Sequence, residues 1–537
     1  MTAAVSASDL RGMLNDGGEL ALIDVREELI FSQNHLLLAR SVPLSRFELK
    51  FAPLVPRRST RIVLCDDNDG LAARAAATLA QNGYGDVRIL SGGVAAWSAA
   101  GFELFSGVNV PSKAFGEYIE HADGTPSIAA GELEALIRGA ADMVVLDSRP
   151  FDEYVRVSIP TAINVPGAEL VLRARDIAPS PDTLVVVNCA GRTRSIIGAQ
   201  SLINAGLPNK VVALRNGTMG WSLEGFACDE GKNRRAPDVS PAMRDWARQA
   251  AWRVAQSCGV RRIDGATVKG WRADNARTLY IFDVRNPAEF EAGHVAGTIS
   301  APGGQLVQAT DQYAGTLGAR IVLIDDAEVR AAMTASWLRQ MGWRDVFIWV
   351  ETGTETGRPK LPILDTGAPS EFGGNGADID CIALGELLSR NAATVVDLSL
   401  SRDYLKAHIP GAWFAIRTRL KRALEKIPLA GTLVLTSEDG VLARLAVSEA
   451  AASIDRSVRC LEGGNAAWQS VGWPFSAEAK MADAAVDQWR KPYERTGDTK
   501  AAMAEYLAWE TDLLPRIDRD GSLKFTSFNA QSRAEFQ

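Results

Sequence analysis

Four stretches of this 537-residue chain follow one plan, and that repetition limits the fold more than any other feature. Each opens with a short apolar run ending near an acidic residue: ALIDVR (21–26), VVLDSR (144–149), YIFDVR (280–285) and TVVDLS (394–399). A turn follows, EAGHVAGTIS (291–300) in the third copy, KAHIPGAWF (406–414) in the fourth and a looser VRVSIPTAIN (155–164) in the second. A second apolar run comes next: RIVLC (61–65), LVVVNC (184–189), RIVLID (320–325) and TLVLTS (432–437). Ala-rich amphipathic stretches then lead to a third apolar run. In three copies that run ends in a Gly-containing turn and a tryptophan, Trp97, Trp221 or Trp468; the third copy, VFIWVETG (346–353), lacks this ending.

The copies recur about every 115–135 residues, the size of a domain and too long for a solenoid unit. Short apolar strands alternating with helical stretches predict an α/β fold, in which each copy forms a small, mostly parallel sheet flanked by helices. Right-handed crossovers fix most of the topology. The expected domains are 1–105, 127–230, 259–356 and 378–480, with a helical C-terminal tail over 481–537. Residues 106–126 and 357–378 read as linkers. Residues 234–258 read as a helix, with Trp246, Ala250 and Val254 at a spacing of four.

Composition narrows the function. A net charge of −7 and no basic stripe argue against a nucleic-acid partner. No apolar run is long enough for a membrane span, and the N-terminus lacks the pattern of a signal peptide. The six cysteines (65, 189, 228, 258, 381 and 460) never form CxxC, so neither a disulfide framework nor a metal site is expected. A reducing cytoplasm is the compartment that fits.

In parallel sheets the functional groups sit beyond the carboxyl ends of the strands. The loop after the second apolar run of copy two reads Cys189-Ala190-Gly191-Arg192-Thr193-Arg194, and Ser195 leads into a helix. A helix N-terminus presents free N–H groups and a favourable dipole, so it holds negative charge. A thiol there ionises more readily than a free cysteine. Arg192 and Arg194 add positive charge, and Gly191 allows a tight turn.

This strand–CxGxxR–helix unit, the upstream Asp147-Ser148-Arg149 and the downstream Gly217…Trp221 resemble the rhodanese family. The whole arrangement is similar to the bacterial multidomain rhodanese-related sulfurtransferases. The resemblance implies a thiosulfate sulfurtransferase-like enzyme without a cofactor. Cys189 would take sulfane sulfur from a small anionic donor such as thiosulfate, become a persulfide and pass the sulfur to a thiol, cyanide or a protein acceptor. Residues Ala190 to Ser195 would form the binding loop, with Asp147 and Arg149 in support. Two-domain members of the family often place a donor-binding arginine four residues after the Arg of Asp-x-Arg; here that residue is Glu153.

Aligning the copies on Leu79, Leu202 and Leu338 puts Asp66, Cys189 and Asp325 in register. The fourth loop, Thr436-Ser437-Glu438-Asp439-Gly440, reads as one residue shorter, and its equivalent is Ser437, or Thr436 if that gap is moved. None of these replacements can carry sulfur, so three copies are expected to be silent. Cys65, one residue early, reads as a buried strand end, as do the other cysteines. The Asp-x-Arg pairs recur in silent copies and read as structural. His35, His294 and His408 read as structural too, because copy two has Ser158 there, and the three tryptophans read as core. Two alternatives stay open: a sulfur carrier or scaffold whose silent copies bind a partner, and a cysteine-dependent phosphatase or arsenate reductase. The six-residue span from Cys189 to Arg194 is one residue tighter than a phosphatase loop.

Overall fold

The computed structural model describes residues 2–365 and 377–529. In the second copy the strands lie side by side in the order Ser127–Ile128, Val211–Leu214, Leu184–Asn188, Met143–Asp147 and Ile163–Asn164, all parallel. The other three sheets repeat this order. Helices cover both faces, which is why the central strands read as continuous apolar runs without alternation. Leu20–Asp24 and Ala393–Asp397 are buried at every position. The α/β architecture expected from the repeats is the one found.

Strand register aligns the four copies without reference to helices. Asp24 faces Cys65, Asp147 faces Asn188, Asp283 faces Ile324, and Asp397 faces Thr436. The next residue in each second strand is therefore Asp66, Cys189, Asp325 or Ser437. This resolves the fourth copy in favour of Ser437.

The copies are not separate beads. The second and third share one hydrophobic core, in which Val187 and Leu202 join Leu323 and Leu338. Two connecting helices seal it. Pro241–Ser257 contributes Ala250 and Val254, the face expected from their spacing. Val110–Asp123 contributes Phe115 and Ile119; this segment, read as a linker, is a helix with Pro111 in its first turn. The third copy also reaches into the first, where Thr316–Leu317 adds an antiparallel strand beside Leu20–Ala21.

At the end of the fourth copy, Lys480–Met481 pairs with Trp413–Phe414, so this strand straddles the boundary expected at 480. The tail beyond it holds one long helix, Thr499–Asp520, N-capped by Asp498 and closed by Gly521 at φ +68°. Part of the Gly- and Pro-rich linker at 357–378, and the last eight residues of the tail, lie outside the described residues. Among the described residues no helix is long and apolar enough to cross a membrane, and no cluster of three or more His, Cys, Asp or Glu could hold a metal ion.

Candidate active site

Cys189 sits one residue past the strand Leu184–Asn188, and the helix Thr193–Asn204 starts four residues later. The loop between them is gripped by its carbonyl groups. Thr218 donates to the Cys189 carbonyl through its backbone N–H (2.8 Å) and its hydroxyl (3.1 Å), and the Met219 N–H donates to the Ala190 carbonyl (2.9 Å). Gly217 makes that approach possible. Its φ is +55°, and a Cβ there would lie 2.4 Å from the Cys189 carbonyl oxygen.

Asn188 donates to Asp147 (3.0 Å) and to the Thr218 hydroxyl (3.2 Å), fixing the strand end. Asp147 is held in turn by Arg149, whose side chain is buried and also donates to the Val157 carbonyl at 2.6 Å. The same Asp–Arg pair closes the first and third copies. Asp147 and Arg149 thus brace the strand end at one remove from the sulfur.

The carbonyls of Cys189 and Ala190 are thus tied down, while the N–H groups of the loop are left unpaired. Among the described residues, no backbone N–H from Ala190 to Ser195 donates to another group of the protein. Cys189 Sγ lies 3.4 Å from Ser195 Oγ and is 2% exposed. It opens on a cavity of about 210 Å³.

The three other loops fill the same space with their own atoms. Asp66 accepts from the N–H groups of Asn68 and Ala72, both at 2.9 Å. Asp325 accepts from Val329 (3.1 Å) and Arg330 (2.9 Å). Ser437 Oγ accepts from Ala443 at 3.3 Å. An internal carboxylate or hydroxyl therefore occupies the donors that the second loop leaves free. Cys65, one position early, is buried in the core of the first copy, donating to the Ile23 carbonyl at 3.5 Å. Burial first, and Asp24 second, push its thiol pKa well above the ordinary value, as burial pushes Cys460 up to about 12.

The two loop arginines have different surroundings. Arg192 lines the cavity, but its guanidinium is engaged by Glu117 through two 2.7 Å bonds and by Glu120, both on the helix Val110–Asp123. Burial works against its charge, and the hydrogen bonds and attraction of Glu117 outweigh it, so its pKa is raised. These contacts make Arg192 an anchor for the loop, not the free donor-facing cation expected from sequence. Arg192→Ala strands the buried Glu117. The expected result is a loss of roughly 3 kcal/mol or more of stability, read as a lower melting temperature.

Arg194 does face the cavity. It pairs with Glu153 at 2.9 Å and lies 3.3 Å from Gln305 of the third copy. Burial opposes its charge too, but Glu153 and then Cys189 hold it above the ordinary value. Glu153 is itself kept ionised against burial by Arg194 and by Lys491, whose Nζ is 2.9 Å away.

Sequence reasoning missed Lys491, and also Lys113, Tyr493 and Tyr506, which line the cavity from segments outside the repeats. Glu510 accepts from Tyr506 (3.1 Å) and Thr193 (3.4 Å) and pairs with Lys113 (3.1 Å), pinning the C-terminal helix over the loop. The concentration of Trp, Tyr and Lys at 489–493 was the one available signal.

The structural residues fall where expected. His35, His294 and His408 stack on Phe31, Phe290 and Tyr404 at 4.0 Å, and Ser158 takes the equivalent backbone bridge in the second copy. Trp97, Trp221 and Trp468 are buried, each donating to a carbonyl six residues on.

Comparison with known proteins agrees with this geometry. The rhodanese-like domain family matches residues 6–100, 129–224, 266–355 and 383–471, about two thirds of the chain. The chain belongs to the rhodanese family. A crystal structure of a thiosulfate sulfurtransferase from Pseudomonas aeruginosa is 47% identical to this rhodanese-like chain, covers 98% of it and 99% of its own length, and superposes with a TM-score of 0.93. An HTH-type transcriptional regulator of Mycobacterium tuberculosis is 33% identical over 109 residues. That match spans 20% of this chain and 47% of the regulator, so the likeness is confined to about half of that relative's length.

Proposed function

We propose that the protein is a sulfurtransferase in which Cys189 carries sulfur as a persulfide, with thiosulfate as the model donor. The observation that carries this is the contrast between the loops: among the described residues the six backbone N–H groups from Ala190 to Ser195, in the loop that follows the strand to Cys189, have no acceptor within the protein, whereas the other three loops close on their own oxygen atoms. Support also comes from the near full-length likeness to a thiosulfate sulfurtransferase.

The chemistry is a two-step displacement. The Cys189 thiolate attacks the outer sulfur of thiosulfate; an S–S bond forms to Cys189, the sulfur–sulfur bond of thiosulfate breaks, and sulfite leaves with the electron pair. An acceptor thiolate or cyanide then attacks the terminal sulfur and releases the Cys189 thiolate. The free N–H groups stabilise the persulfide anion between the steps, and Ser195 Oγ is within reach of the sulfur. The first, third and fourth copies are silent in this scheme, and the third lends a wall to the cavity through Gln305 and Gln312. A reducing compartment keeps cysteines from pairing as disulfides, and we place the protein in the cytoplasm.

Intact mass after brief exposure to thiosulfate tests this. Wild type is expected to gain one sulfur atom, about 32 Da, as covalent catalysis requires, and Cys189→Ser to gain nothing. An equal gain on both proteins would remove Cys189 from the role.

A further inference from the structure

The cavity holding Cys189 has a wall that none of the four repeats supplies. Trp489, Lys491, Pro492 and Tyr493 form part of it, and Tyr506 reaches in from the C-terminal helix. The helix is anchored by the buried Glu510, and the preceding segment by Lys491 against Glu153 and by Glu494 against Arg156 at 2.7 Å. On the same helix, Met503 and Leu507 pack in one apolar cluster with Ala190 and Met219 of the loop and its clamp. The segment is thus fixed to the second copy at both ends.

We propose that this C-terminal segment is the donor-recognition element, and that Lys491 meets the charged end of a small anionic sulfur donor. The proposal rests on the persulfide reading above and extends it to the choice of substrate. Four cations line the cavity, Lys113, Arg192, Arg194 and Lys491, against a single lining carboxylate, Glu153. Two of the four are taken up by largely buried partners: Arg192 by Glu117 and Glu120, and Lys113, only 12% exposed, by the fully buried Glu510 and the ring of Tyr506, 5.6 Å away.

Arg194 and Lys491 remain, sharing Glu153. Lys491 is the more open of the two, with its side chain 35% exposed against 12% for Arg194. An ammonium has three N–H donors on a flexible stem, so binding Glu153 with one does not stop it from meeting an oxyanion. Lys491 brings positive charge to Glu153, 2.9 Å away, from a segment outside the repeats. A cavity of about 210 Å³ walled by Tyr493 and Tyr506 suits a donor of a few heavy atoms. The recognised class is a small oxyanion bearing a sulfane sulfur.

The experiment uses full-length wild type, Lys491→Ala and Lys491→Arg, with thiosulfate varied at fixed cyanide. Lys491→Ala is expected to raise KM for thiosulfate at least tenfold with kcat within twofold, and Lys491→Arg to recover most of the loss. Persulfide preloaded on Lys491→Ala should discharge to cyanide at the wild-type rate, which shows that the site is still assembled. A KM within twofold of wild type in Lys491→Ala overturns the proposal while leaving the persulfide reading intact. Loss in Lys491→Arg equal to that in Lys491→Ala also overturns it, since packing and not charge would then be at issue. Failure of wild type to take up sulfur from thiosulfate overturns both.

Discussion

Cys189→Ser is expected to lose sulfur transfer from thiosulfate to cyanide by a factor on the order of 10³ or more, while Cys65→Ser turns over at the wild-type rate. The two cysteines end equivalent strands of equivalent folds, so the difference isolates one residue of register. Cys65 lies within its sheet facing Asp24, as Asn188 does facing Asp147. Cys189 lies one residue further on, where the N–H groups of the loop are free. A serine at 189 keeps the loop but cannot form a persulfide. Steady-state rates on the two variants decide the matter; activity lost in Cys65→Ser and kept in Cys189→Ser would reverse the assignment of the loops.

Arg330→Ala is expected to destabilise the joined second and third domains by about 3–5 kcal/mol, because it leaves buried carboxylates unpaired. Arg330 is 1% exposed and pairs with Glu169 of the second copy and Glu289 of its own, both at 2.7 Å, and with Asp326; Asp325 lies 3.8 Å away. Thermal melting should show a drop on the order of 10 °C.

The size of the defect should depend on pH. Burial pushes the Asp325 carboxyl up to about 6, with Arg330 pulling the other way. A raised carboxyl pKa means that its protonated form favours folding; that contribution is full below the ordinary value near 3.8 and lost as pH rises through about 6. Without Arg330 the buried charge has less compensation above that range. The variant should therefore lie closer to wild type at pH 5 than at pH 8. A defect that does not change between those values would show that Asp325 is not part of the cluster's energetics.

What could be read from the sequence was whatever is local in it. The strands ending at Asp24, Asp147, Asp283 and Asp397 announce themselves as short apolar runs, and their repetition gives the α/β fold. Cys189, Gly191 and Arg194 are neighbours in the chain, so their loop is visible without a structure. The cavity wall is different. Lys491 meets Glu153 from 338 residues away, and Thr193 meets Glu510 from 317. No periodicity links such residues.

Arg192 shows the same limit from the other side. Its charge suggested a partner anion in solution, but the anions it meets are Glu117 and Glu120, on a helix first read as a connector. The edge strand Thr316–Leu317 is two residues long and antiparallel, and it pairs outside its own repeat, so no pattern within one copy could reveal it.

That short strand bears on how the chain is made. A ribosome delivers the first copy well before the third: roughly 300 residues separate Leu20–Ala21 from the strand that covers them. At about 5–20 residues per second, the wait is about 15–60 s. Throughout it, the newborn first domain carries an open stretch of sheet edge at Leu20–Ala21, next to the part that Arg40–Ser41 covers, and open edges are surfaces on which neighbouring chains pair. Translation speed across the second copy thus sets how long each nascent chain is exposed to its neighbours on the same message.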